Sequence, residues 1–397
     1  MLYRTVCLRG LCYCLLVMGL LAKPAPAAEV PALIAAIKSA GQSTEGFAGA
    51  NAAVKELAQQ SLATVPTILL AMRDANPNAV NYLRSAVEVI LDRAAAKGEQ
   101  LAPTVLEKFI ADHANGDRGR RMAYELLTKI DPQTPDRYLP DMLDDPSLEL
   151  RRDAVAKLIR DTDAAVGEKP ASEAALAAYK KAFAAARDID QIESLAKKLR
   201  DAGQTVDLPR QLGFLMEWQL LAPFDNTNQS AFNIAYPPEE KIDLKAKYQG
   251  KSGEIAWQAH TTNSPTGEVD LNAALGKIKG AVAYAYTEFD ADKGTDCQFR
   301  LGCINANKIW LNGELIWQRE VYHAANAIDQ YIAPAKLKPG KNTILLKICQ
   351  NEQTEQWAQD WMFQLRVCDS IGTAILAANR PETPAAALSP KPAETPQ

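Results

Sequence analysis

The sequence predicts a multidomain α plus β chain, with an N-terminal α-solenoid and a C-terminal antiparallel β-sandwich. Three observations support this fold class. Apolar residues recur at helical spacing from residue 29 to about 205. Prolines repeat at a constant interval within that stretch. Beyond Gly203 the pattern changes to alternating apolar and polar residues, and all six tryptophans lie there.

The composition is that of an ordinary globular protein. The chain has 397 residues, of which 47% are hydrophobic and 23% are charged, and its formal net charge is −4. A nucleic-acid-binding protein usually carries a basic face or stripe. We therefore expect no nucleic-acid partner.

The first 28 residues have the layout of a secretory signal peptide. Arg4 and Arg9 precede an apolar run from Leu11 to Ala22, and small residues follow up to Ala28. An apolar run this short does not cross a bilayer core of ~30 Å. We expect an exported protein, periplasmic or extracellular, without a membrane span after cleavage; an uncleaved anchor is the alternative.

The helical segment, residues 29–205, contains a repeat. Pro66, Pro103 and Pro140 lie 37 residues apart, each at the start of an apolar-periodic stretch. Proline is tolerated in the first turn of a helix because its missing N–H has no intrahelical partner there. A period of this length with two helices per unit is typical of an α-solenoid. The alternative is an irregular helical bundle.

Short strands and turns follow in residues 206–375. Thr343–Cys349 and Met362–Cys368 alternate as strands do, and Asn312-Gly313 between apolar runs indicates a hairpin. Pro339–Asn342 is a second turn. This pattern predicts a β-sandwich. Residues 376–397, rich in proline and alanine, are expected to be disordered.

Two stretches resemble known families. Residues 138–160 (YLPDMLDDPSLELRRDAVAKLIRD) resemble a HEAT repeat, and the resemblance extends over about 65–160. Residues 308–316 (KIWLNGELI) and 337–348 (LKPGKNTILLKI) resemble the galactose-binding-like jelly roll that accompanies many glycoside hydrolases. The latter likeness covers about 212–375. Together they resemble exported proteins of planctomycete-type bacteria, and they imply a fold and a sugar as ligand class.

Two polar loops are the candidate ligand-binding site. Sugars pack on aromatic faces while neighbouring polar groups bond their hydroxyls. The stretches 317–331 and 350–361 combine both kinds of side chain. The candidate residues are Trp317, Arg319, Tyr322, His323, Asp329, Tyr331, Glu352 and Trp357. The alternative for Trp317, Trp357 and Trp361 is burial in the core, which we favour for Trp361.

Catalysis and metal binding have little support in the sequence. None of the common catalytic motifs occurs in it, so we expect no enzyme. The one exception is that Asp329 and Glu352 could form an acid–base pair for glycoside hydrolysis. Asp290, Asp292 and Asp296 are weak candidates for a Ca²⁺ site, because hard cations prefer clustered oxygens. A plain hairpin turn is the favoured interpretation, and no cofactor is expected.

Four cysteines remain after the leader: Cys297, Cys303, Cys349 and Cys368. Cys297 and Cys303 lie on one predicted strand, too far apart for a direct bond. Cross-strand disulfides and buried free thiols both stay open.

We expect a non-catalytic exported binding or scaffold protein. The helical repeat would contact a protein, and the sandwich would contact a glycan or protein of the envelope. A structural envelope-assembly protein and an unrecognised glycan-active enzyme are the alternatives.

Overall fold

A computed structural model describes residues 29–41, 43–167 and 171–388. The predicted signal peptide and the last nine residues of the predicted tail lie outside this range. The described residues form two compact units, divided between Leu127 and Thr128. Helices make up the N-terminal part of the chain and antiparallel sheets the C-terminal part, as the sequence predicts.

The first unit is helical, and its prolines lie where the repeat places them. Pro66 and Pro103 are in the first turns of α3 and α5, and the alanines 20 residues after each, Ala86 and Ala123, are fully buried. The helices are α1 (Val30–Lys38), α2 (Thr44–Leu57), α3 (Val65–Ala71), α4 (Pro77–Ala95), α5 (Pro103–Ala111) and α6 (Asp117–Ile130), in which the division falls.

A buried arginine recurs near the start of the second helix of a repeat. Arg120 Nε donates to the Ile110 carbonyl at 2.8 Å, and Arg151 Nε donates to the Asp145 carbonyl at 2.8 Å. Both side chains are buried, at 1% and 6% exposure. Arg120 binds the last turn of the preceding helix, α5, whereas Arg151 binds the turn directly before its own helix, so each arginine ties its helix to the chain just before it.

The second unit contains further helices that pack with residues leading into the sheets. Val155, Leu195 and Leu212 share one buried cluster with Phe214 and Met216. The division between units therefore falls well before the change in composition at Gly203. The helices are α7 (Thr134–Tyr138), α8 (Leu148–Val166), α9 (Glu173–Ala185), α10 (Ile189–Asp201), α11 (Leu208–Leu212), α12 (Pro237–Glu240) and α13 (Leu271–Leu275).

Two antiparallel sheets follow, with a separate two-stranded ribbon β2-β3. The larger sheet has the order β4-β1-β6-β11-β8-β9, and the smaller has the order β10-β7-β12-β5. The strands are β1 (Glu217–Asp225), β2 (Lys247–Gly250), β3 (Gly253–Ala256), β4 (Gln258–Thr261), β5 (Val269–Asp270), β6 (Ala281–Ala291), β7 (Thr295–Cys303), β8 (Ala306–Leu311), β9 (Glu314–Arg319), β10 (Tyr331–Leu337), β11 (Gly340–Gln350) and β12 (Met362–Cys368).

One core lies between the two sheets. Alternate residues of β6 face it, as do Phe299 of β7 and Phe363 of β12. Trp361 is fully buried there, which confirms its predicted place in the core. Trp218 meets the Phe363 ring edge-on at 5.0 Å between centroids. The alternation that predicted strands thus separates core residues from the opposite face.

The opposite face of the larger sheet is covered by the segment that follows β1. Lys347 has no exposed surface, and its ammonium group donates to the Glu239 carboxylate at 2.7 Å and to the Ile234 carbonyl at 2.7 Å. The Tyr284 hydroxyl donates to the same carboxylate. This buried pair fixes the covering segment on the sheet.

The predicted turns are present, with one correction. Asn312 and Gly313 have φ of 54° and 85° and join β8 to β9 as a hairpin. The aspartate-rich turn after Ala291, however, joins β6 of one sheet to β7 of the other, so the favoured hairpin interpretation is wrong. It is a crossover between sheets, which sequence spacing alone does not distinguish from a hairpin.

All four cysteines are buried free thiols in the structure. Cys297 and Cys303 both lie on β7, as predicted. Burial raises the pKa of Cys297 to about 11 and that of Cys303 and Cys349 to about 12.

The first part of the predicted tail is not disordered. Thr383 donates to the Asp207 carboxylate at 2.8 Å, Arg380 donates to the Phe214 carbonyl at 2.7 Å, and Ala387 is fully buried. Composition indicated a solvated segment because proline and alanine bury little apolar surface, but these few contacts hold residues 376–388 against the rest of the second unit.

We expect Asn342→Ala to lower the free energy of unfolding by about 2 kcal/mol, because buried groups would lose their partners. Asn342 donates to the Phe289, Lys338 and Gly340 carbonyls and accepts from the Lys338 N–H. Urea unfolding followed by tryptophan fluorescence reports on the second unit alone, since all six tryptophans lie in it. The exposed Lys338→Ala is the control. An equal effect of both variants would contradict the prediction.

Candidate functional site

The two candidate loops meet. They connect β9 to β10 and β11 to β12, and His323 of the first contacts two residues of the second. Its Nε2 lies 3.0 Å from Asn351 Oδ1, and its ring meets the Trp357 ring edge-on at 5.1 Å. The structure therefore brings together His323, Trp357 and the residues beside Asn351.

Trp357 is the exposed aromatic of this cluster. It is 62% exposed, the highest value among the large apolar side chains of the described residues. It lies in a short 3₁₀ turn, Gln356–Ala358, whose Ala358 is buried and whose Ala358 carbonyl accepts from Lys279 Nζ at 2.7 Å. The ring is thus presented to solvent from an anchored turn.

His323 supplies a hydrogen-bond acceptor at the base of Trp357. Asn351 Oδ1 accepts from the Gln353 N–H, while its Nδ2 donates to Gln353 Oε1. Because this fixes Oδ1 as an acceptor, the His323 proton is assigned to Nε2. Nδ1 is then a lone-pair acceptor, and it is buried without a partner in the protein. A buried polar atom of this kind is costly unless a water or ligand bonds it.

A polar network supports the loops from below. Asn226 donates to the Gln350 carbonyl at 2.9 Å and to the Tyr322 hydroxyl at 3.2 Å, and it accepts from the Ala231 N–H. Asn305 donates to the Gln350 side chain at 2.8 Å. Burial raises the pKa of Tyr322 to about 12, so its hydroxyl stays protonated. The network holds Tyr322 half-buried beside His323.

Glu352 lies at the rim of the same cluster. It is exposed and accepts a hydrogen bond from the Asn228 N–H. Asn228 lies in the turn after β1, and the last residue of β1, Asp225, pairs with Lys251 at 3.1 Å. Carboxylate, amide and aromatic groups therefore share one surface, which we call the Trp357 surface: Tyr322, His323, Asn351, Glu352 and Trp357.

Three other predicted residues lie apart from this surface. Trp317 donates from Nε1 to Asn307 Oδ1 at 2.9 Å and packs on Tyr331 at 5.3 Å between rings. Both rings are half-buried against the core. Arg319 ends β9 and is exposed. Among the described residues, no hydrogen bond, ion pair or ring contact joins these three to the Trp357 surface.

Asp329 is a correction to the predicted site. Its carboxylate accepts from Arg366 Nε at 2.6 Å, Arg366 Nη2 at 2.5 Å and Arg300 Nη1 at 2.7 Å. Although partial burial opposes ionisation, these two arginines hold the pKa of Asp329 below its usual range. The structure therefore places the Asp329 carboxylate on Arg300 and Arg366, and no hydrogen bond among the described residues joins it to Glu352.

The predicted aspartates of the sheet crossover do not form a cation site. Asp296 is exposed and lies 3.6 Å from the Lys336 ammonium group. Within residues 29–41, 43–167 and 171–388, no group of three or more His, Cys, Asp or Glu is arranged to hold a metal ion. Over the same ranges, no helix has both the length and the apolar character needed to cross a bilayer.

Comparison with known proteins gives no family. No protein-family model and no curated protein matches the chain. An anti-sigma factor domain-containing protein from Clostridium clariflavum aligns at TM-score 0.25 and 10% identity over 41% of this chain and 45% of that one. A beta-glucosidase from Kluyveromyces marxianus aligns at 0.27 and 12% over 76% and 38%. The GH31 alpha-xylosidase from Xanthomonas citri aligns at 0.22 and 13% over 40% and 18%.

These likenesses are weak. The chain spans less than half the length of the solved structures quoted, and TM-scores this low carry no functional information.

We expect Asp329→Asn to destabilise the second unit by about 3 kcal/mol at pH 7, because Arg366 is 1% exposed and would be left without its counter-charge. Since the pKa of Asp329 is lowered in the folded state, its stabilising contribution is present above pH ~4 and is lost as the pH falls through the folded value.

Urea unfolding at pH 7, 5 and 3, followed by tryptophan fluorescence, measures this contribution. The exposed Asp296→Asn is the control. The difference between Asp329→Asn and the unsubstituted protein should shrink below pH 4. A difference that stays constant from pH 7 to pH 3 would show that the ion pair is not its source.

Proposed function

We propose that the chain is an exported, non-catalytic binding protein whose Trp357 surface binds a glycan. The exposed Trp357 ring, standing over His323 with its unpartnered Nδ1, is the observation that supports this most. A pyranose ring packs its C–H face on an indole, and Nδ1 is an acceptor for a sugar hydroxyl. Glu352 and the protonated Tyr322 hydroxyl supply further polar groups at the rim.

The helical part and the sheet-forming part of the chain fit this proposal as parts of a recognition protein. We propose that the helices form a HEAT-like solenoid that contacts a protein of the envelope, and that the sheets form a galactose-binding-like jelly roll. The repeated buried arginines, Arg120 and Arg151, support the first, and the common core of two antiparallel sheets supports the second. Export to the periplasm or beyond rests on the leader sequence.

Glycan binding should depend on Trp357. In a pull-down with insoluble polysaccharides and on a glycan array, we expect the protein to be retained and Trp357→Ala to lose at least about tenfold in affinity, ~1.4 kcal/mol. Ile332→Ala is the matched control, since Ile332 is also exposed but lies on β10. Absence of retention on every glycan, or equal retention of Trp357→Ala, would refute the proposal.

A hydrolysis assay distinguishes a glycan-binding protein from a glycan-active enzyme. Because Asp329 is committed to two arginines, we expect no new reducing ends from a labelled polysaccharide that the protein binds. A hydrolytic activity that survives repurification and disappears in Glu352→Gln would instead favour a glycan-active enzyme.

A further inference from the structure

A cleft at the edge of the larger sheet lies apart from the Trp357 surface. Its volume is about 420 Å³, within the range of small-molecule sites. It is formed by β1, by the edge strand β4, by β6 and by residues 377–381 of the C-terminal segment. Trp218, His260 and Thr287 contribute to its walls, and Arg380 closes one side.

Arg380 lies in this wall, and only one of its three guanidinium nitrogens makes a hydrogen bond within the protein. Nη1 donates to the Phe214 carbonyl at 2.7 Å. Nε and Nη2 are buried and have no hydrogen-bond partner in the protein. These two nitrogens form one edge of the planar group, and their N–H bonds point the same way. A carboxylate accepts from such an edge through both of its oxygens.

Of the carboxylates at the cleft or near Arg380, Glu217 is exposed at the cleft wall, while Asp207 and Glu288 are engaged by other groups. Asp207 attracts Arg380 electrostatically, but the Asp207 oxygens accept from Thr383 and from the Arg210 N–H. Glu288, which lines the cleft, is paired with Lys341 at 2.6 Å and accepts from the Tyr286 hydroxyl. The guanidinium thus lacks a bonded counter-ion, and burial lowers the pKa of Arg380.

The other walls suit the remainder of a small molecule. Burial also lowers the pKa of His260, so its imidazole is neutral at pH 7 and offers one donor and one acceptor. Thr261 and Thr287 add hydroxyl groups, and Leu215 adds apolar surface. Among the described lining residues, Arg380 is the only lysine or arginine. An anion in this cleft therefore has one place to bind.

We propose that this cleft binds a small molecule bearing a carboxylate, which Arg380 grips through Nε and Nη2. The buried donors would then be satisfied by the ligand rather than left unpaired. The site is independent of the Trp357 surface.

Binding of small carboxylates to the purified protein tests this. Acetate, succinate, benzoate and D-glucuronate are compared by calorimetry and ligand-observed NMR with acetamide, succinamide, benzamide and D-glucose. We expect at least one carboxylate to bind at least tenfold more tightly than its neutral partner. Failure of all four carboxylates to bind, or binding of inorganic phosphate alone, would overturn the proposal.

Substitutions of Arg380 test whether the carboxylate binds in this cleft. Arg380→Lys and Arg380→Gln should each weaken binding at least tenfold, while Arg319→Gln, an exposed arginine on β9, should not. Trp357→Ala should keep carboxylate binding, which separates this proposal from glycan binding. Unchanged binding by Arg380→Gln would refute it.

If the Arg380 variants unfold, a measurement on the unsubstituted protein still tests the proposal. The ¹⁵N-bonded Nε proton of Arg380, assigned by selective arginine labelling, should shift as the carboxylate that binds is added. A resonance that does not move at saturating ligand would show that Arg380 does not hold it.

Discussion

The ion pair between Asp329 and Arg366 is the contact on which the arrangement of the second unit depends. Arg366 donates to both Asp329 oxygens and also to the Leu212 and Gly372 carbonyls. One buried side chain therefore joins the end of α11, the turn after β12 and the loop between β9 and β10. Since its charge is almost fully removed from water, each of these acceptors is needed to offset the cost of its burial.

The geometry of the Trp357 surface depends on this ion pair. His323 and Asp329 belong to the same loop, and both have positive φ, 56° and 62°. Non-glycine residues adopt this conformation only where their surroundings stabilise it. Asp329 fixes one end of the loop through Arg366, and His323 fixes the other through Asn351. Trp357 thus packs on a held histidine, and an aromatic surface that is already ordered loses little entropy when it binds a ligand.

Sequence reasoning succeeded where neighbours in the chain decide the structure. Asn312-Gly313 determines its hairpin through local backbone preference, and Trp361, the apolar residue directly before β12, lies in the core as predicted. It failed where partners are distant: Asp329 meets arginines 29 and 37 residues away, and Asn226 bonds the carbonyl of a residue 124 positions later. The Arg380 cleft joins β1 to a segment that composition alone assigned to a solvated tail. The spacing of apolar residues along the chain carries no information about contacts between such distant residues.

Burial of the four cysteines determines how reactive their thiols are in the folded chain. The thiolate is the form that oxidises and exchanges disulfides. Burial raises the pKa of Cys303 and Cys349 to about 12, so both stay protonated at neutral pH. In the folded chain these buried thiols are therefore poor nucleophiles. The fold itself therefore shields these thiols, although no disulfide ties them.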